Sequence, residues 1–92
     1  MKTIIVQIGN TDDKLGQFDW AAYVRAVDVT INGSSQHVYF SGFSNPSSAW
    51  QNACWVFESP FNGILKKKLK KIAEEFHQDS IAWTEGQTEF IK

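Results

Sequence analysis

The chain alternates between two hydrophobic periods, and each switch marks a new element. Thr3 to Ile8 is β-branched and short, with Ile4, Val6 and Ile8 on one face and Ile5 and Gln7 on the other, which predicts a strand. Gly9-Asn10-Thr11-Asp12-Asp13 ends it with turn-forming residues. Between Gln17 and Val29 the period lengthens: Trp20, Tyr23, Val24 and Val27 fall at helical spacing, while Asp19 and Arg25 stand outside that stripe. Asn32-Gly33 is a natural stop, since glycine tolerates the left-handed conformation that closes helices.

Alternation returns from Gln36 to Phe43, where Val38 and Phe40 are expected on one face and His37 and Tyr39 on the other. Ser44-Asn45-Pro46-Ser47-Ser48 reads as a loop, and Asn52 to Glu58 as a third strand with Ala53, Trp55 and Phe57 opposite Cys54 and Val56. Ser59-Pro60 suits a helix start, with Asn62 as an alternative cap that would start the helix two or three residues later. From there to about His77, Leu65, Leu69, Ile72 and Phe76 make a stripe at spacings of four, three and four, the clearest periodicity in the chain. Ser80 to Thr84 is a fourth strand, and Glu85-Gly86-Gln87 is able to turn it into a short terminal strand, Thr88 to Ile91.

The resulting order, β-α-β-β-α-β, predicts an α+β domain of the ferredoxin-like kind: a four-stranded antiparallel sheet with two helices on one face, plus the short extra strand. The opposite sheet face must then be solvated, covered or used.

Composition narrows the function classes. The chain has 92 residues, enough for one domain, and a net charge of −1. That balance argues against a basic nucleic-acid wrapper and against a polyacidic mimic of DNA. Residues 1–60 hold three basic and five acidic groups, net −2, and residues 61–92 hold six and five, net +1. The longest early apolar run, Ile4-Ile5-Val6, is far short of the ~20 residues of a membrane span. Gln7, Gly9 and Asn10 break any signal-peptide core, so a cytoplasmic protein is expected. The single cysteine excludes an internal disulfide and fits a reducing compartment.

Candidate chemistry is sparse. Asp12 and Asp13 follow the first strand, where a metal-binding or general-base carboxylate would sit in a ferredoxin-like nuclease; adjacent carboxylates in a turn are also ordinary turn formers. His37, Cys54 and His77 have no metal-ligand spacing, and nothing near mid-strand Cys54 would activate its thiol, so neither a metal nor another cofactor is expected. Neither phosphate-loop motif, GxGxxG or GxxxxGK[ST], is present. Lys66, Lys67, Lys68, Lys70 and Lys71 wrap the sides of an amphipathic helix, the usual pattern of a solvated face. Base stacking on the sheet, as in RNA-recognition domains, is disfavoured by Ile5 at the expected aromatic position and by the missing basic-glycine opening of strand three.

Aromatic residues, 14% of the chain, are the stronger signal. A small core needs bulk, and Trp20 fits that role, but two helices cover one sheet face and leave large side chains for contact. The expected partner contacts are Tyr39, Trp50, Trp55 and Trp83, with Asn10, Asp12 and Asp13 on a nearby loop. Homodimerisation through the sheet face or an edge strand is an alternative use of the same side chains.

Three segments, Ile8-Gly9-Asn10-Thr11-Asp12-Asp13-Lys14-Leu15, Trp50-Gln51-Asn52-Ala53-Cys54-Trp55 and Gln78-Asp79-Ser80-Ile81-Ala82-Trp83, resemble a group of small bacteriophage and prophage proteins. The resemblance carries over no catalytic residue. It implies a setting in which small non-enzymatic proteins inhibit bacterial defence systems, anti-CRISPR proteins among them, by docking on a host protein. Alternatives from other classes are sequestration of a small signalling nucleotide by tryptophan and lysine side chains, and the metal-dependent nuclease using Asp12 or Asp13.

Overall fold

A computed structural model describes residues 2–10, 15–35, 37–44, 51–60 and 62–92. Six elements follow in the order β1 (Lys2–Gly9), α1 (Gln17–Ser34), β2 (His37–Phe43), β3 (Asn52–Glu58), α2 (Asn62–Glu75) and β4 (Ala82–Gln87). The strands form one antiparallel sheet in the order β2-β3-β1-β4. This is the ferredoxin-like α+β arrangement, in which β3 separates β1 from the parallel β2.

The two periodicities meet in one core. Ile4, Val6 and Ile8 of β1 and Ala53, Trp55 and Phe57 of β3 point to the helix side, where they are buried with Trp20, Tyr23, Val24, Val27 and Ile31 of α1 and Leu65 and Leu69 of α2. Ile72, Phe76, Ile81 and Trp83 close its margin. A partly buried polar bond helps tie the layers: Trp55 Nε1 donates to Asp28 Oδ1 of α1 at 2.9 Å.

Boundaries depart from the sequence reading in four places. Helix α1 does not stop at Asn32-Gly33; it runs to Ser34, and no glycine among the described residues has positive φ. Ile31, fully buried, supplies one more apolar contact at helical spacing and extends the stripe past Val29. Helix α2 starts at Asn62 rather than at Ser59-Pro60, and Asn62 lies inside the helix instead of capping it. It ends at Glu75, two residues early, because His77 takes φ 57. The amides of His77 and Gln78 then bond back to Glu74 O and Ala73 O, the paired closure of a helix C-terminus usually given to glycine. Finally, β4 runs straight through Glu85-Gly86-Gln87, paired with Ile4, Thr3 and Lys2, and residues 88–92 form no further strand. Backbone pairing along the β1 edge outweighs the turn tendency of Gly86.

Among the described residues, no helix is long and apolar enough to cross a membrane.

Candidate functional site

The helices leave one sheet face uncovered, and strand register defines its surface row by row. Phe40, Val56, Ile5 and Thr84 stand side by side across the four strands. Gly42, Cys54, Gln7 and Ala82 form the next row. Toward the other end lie His37, Glu58, Thr3 and Gly86. An apolar row is thus flanked by small and neutral side chains, and Glu58 is the only acidic or basic residue other than histidine in these rows.

Strand β2 reaches this arrangement through a bulge. Its pairing shifts between Val38, opposite Phe57, and Phe40, opposite Val56, so Tyr39 is an extra residue in the ladder. The bulge corrects the expected alternation: Val38 faces the helices, but Phe40 crosses to the open face, where it is 59% exposed. Its ring lies over Gly42, where an added Cβ would meet Phe40 Cζ at 2.9 Å. Tyr39 stays on the side of His37, with ring centroids 4.6 Å apart in an edge-on contact. Partial desolvation, then the charge of the Glu58 carboxylate and a hydrogen bond to it, hold the Tyr39 hydroxyl above its ordinary pKa. At the end of the sheet a groove of about 610 Å³ opens between Gln7, Phe40, Asn52, Cys54, Asp79 and Ala82. Burial raises the Cys54 thiol above its usual pKa, so it remains protonated near neutrality.

The proposed contact residues separate. Tyr39 lies on the open face and is 43% exposed. Trp55 does not: it is 1% exposed in the core, because the face it shares with Phe57 is the one the helices cover. Trp83 also faces the helices, opposite Val6, half-buried against Phe57. Its indole donates to Glu85 Oε1 at 3.1 Å, and Lys66 Nζ stands 5.0 Å from its ring centroid. That indole, more than Lys2 and Lys66 beside it, draws the Glu85 carboxyl below the usual range. Asn10 is likewise no contact residue. It is 3% exposed; its side chain donates to Leu15 O and Gln51 Oε1 and accepts from the Leu15 amide, clamping the chain after β1. Trp50, Asp12 and Asp13 lie outside the described residues.

Sequence reasoning missed Phe40, Ile5 and Val56 as a surface. Ile5 and Val56 were visible as the minor faces of their strands; nothing local announced the bulge that adds Phe40. The lysines of α2 sit in the other layer, away from the open face. Among the described residues, no three His, Cys, Asp or Glu side chains converge as metal ligands. No protein-family model matches the chain, and no curated protein is significantly similar to it.

Proposed function

We propose that the protein is a non-enzymatic docking protein, and that its uncovered sheet face is the contact surface. The observation that carries this reading is the row Phe40, Val56 and Ile5 on the face the helices leave open, with Phe40 exposed and the other two half-buried, bordered by Tyr39 and Cys54 and almost without charge. Apolar surface bordered by a phenol and small polar groups is the composition of interface centres rather than of an ordinary solvated sheet. The partner chemistry it suits is a neutral, largely apolar protein surface. The resemblance of three segments to small phage proteins supplies the setting: a component of a bacterial defence system, bound in the host cytoplasm. Sequestration of an anionic nucleotide is supported less well, since the open-face aromatics and the five lysines lie in different layers.

The test is retention of a host protein from bacterial lysate on immobilised chain. Wild type and a Lys67→Ala/Lys71→Ala control are expected to retain the same discrete protein, and Tyr39→Ala/Phe40→Ala to lose it. Equal retention by all three would move the contact off this face.

A further inference from the structure

Strand β2 is an outer strand of the sheet, and past the bulge at Tyr39 its described residues set neither charge nor proline against pairing along the far edge. Ser44 donates its amide to Asn52 O of β3, so by the two-residue repeat Phe40 and Gly42 also turn their backbone groups inward. Ser41 and Phe43 therefore turn their N–H and C=O groups outward, and no backbone bond from another described residue outside the sheet meets them. Residues 40–44, Phe-Ser-Gly-Phe-Ser, carry no charge and no proline. Phe43, 71% exposed, stands on the helix side of this edge, where α1 leaves a groove of about 650 Å³ lined by Trp20, Val24, Arg25, Asp28 and Ser41.

We propose that two copies of the chain associate through this edge, β2 antiparallel to β2, about a two-fold axis between their Gly42 residues. The spacing is self-complementary. Ser41 of one copy faces Phe43 of the other as a hydrogen-bonded pair, and the symmetry repeats it, while the bulge at Tyr39 limits pairing to residues 40–44 and so fixes the register. Glycine at the axis occupies the close, non-hydrogen-bonded position, and the two Phe40 rings, each lying over its own Gly42, meet above it. On the opposite side each Phe43 enters the α1–β2 groove beside the facing Ser41. With no charged side chain in the paired run, the second copy meets no like-charge repulsion there. The axis is perpendicular to the sheet, so both helix layers lie on one side and the two uncovered faces join into one eight-stranded platform. This assembly does not depend on the proposed docking role.

Light scattering on the eluting protein, over a dilution series, tests it. Wild type is expected at twice the 10.4 kDa of one chain. Phe43→Lys, which buries like charges at the seam, and Ser41→Pro, which removes an outward-facing donor, are expected at the mass of one chain with unchanged near-ultraviolet circular dichroism. In wild type the Ser41 and Phe43 amides should exchange at least about tenfold more slowly at high than at low protein concentration, a readout that needs no variant. A single-chain mass at every concentration, a dimer that survives both substitutions, or fast exchange at both amides would each overturn the proposal. Loss of host-protein retention in Tyr39→Ala/Phe40→Ala with the Phe43→Lys mass unchanged from wild type would sink the dimer alone.

Discussion

Tyr23 shows how far burial reaches into single-residue chemistry. It is 1% exposed, wedged between Trp20 and the Phe76 ring at 5.1 Å, and desolvation pushes its hydroxyl up to about 12. The folded chain therefore prefers the neutral phenol more than the unfolded chain does. That contribution is complete below the unfolded value near 10 and disappears as pH rises through about 12. Urea titrations at pH 8 and pH 11 should show wild type losing about 1 kcal/mol more than Tyr23→Phe over that interval. Equal losses would mean the hydroxyl is solvated. Asn10 teaches the complementary lesson: a residue in a turn-rich segment looked available for contact, yet its amide is consumed by Leu15 and Gln51. Composition of a loop does not reveal which polar groups the loop spends on itself.

At the scale of elements, helix stripes and strand alternation were legible because burial depends on period. All four residues assigned to the α1 stripe are buried, as are Leu65 and Leu69 of α2. Ends were less legible, because they depend on competing closures. His77 ends α2 in the left-handed region, which costs a non-glycine residue about 1–2 kcal/mol. His77→Gly should therefore stabilise the protein by about 0.5–1 kcal/mol, partly offset by the freer unfolded chain. Thermal unfolding should register this as a midpoint higher by about 4 °C. His77→Val, β-branched at positive φ, should lower it. The β2 bulge belongs to the same scale. One inserted residue reverses Phe40, and the alternation Val38-Tyr39-Phe40 is compatible with either outcome until β3 sets the register.

For the whole molecule, the decisive property is asymmetry between two sheet faces. Three tryptophans, Trp20, Trp55 and Trp83, belong to the helix side, and the open face is furnished by Tyr39, Phe40, Ile5 and Val56 instead. Cys54 lies in the row beside them and is the chain's single thiol. Alkylation of Cys54 in the folded protein should be slower than in urea, given its raised pKa and partial burial. A host protein docked on the open face should slow it further, whereas dimerisation through β2 should leave it unchanged. Labelling at the same rate with and without the captured protein would place the contact elsewhere.

Local sequence determined the elements, their order and the α+β layering, because an apolar period can be buried on only one side of a helix or strand. Tertiary structure decided which aromatics remain for contact. Trp55 and Tyr39 are both strand aromatics, and neighbouring residues do not distinguish them. Only assembly of the sheet against α1 and α2 sends the indole into the core and leaves the phenol outside. Facing is a property of register between distant strands, and a single bulge, invisible in the local pattern, was enough to move Phe40 from one face to the other.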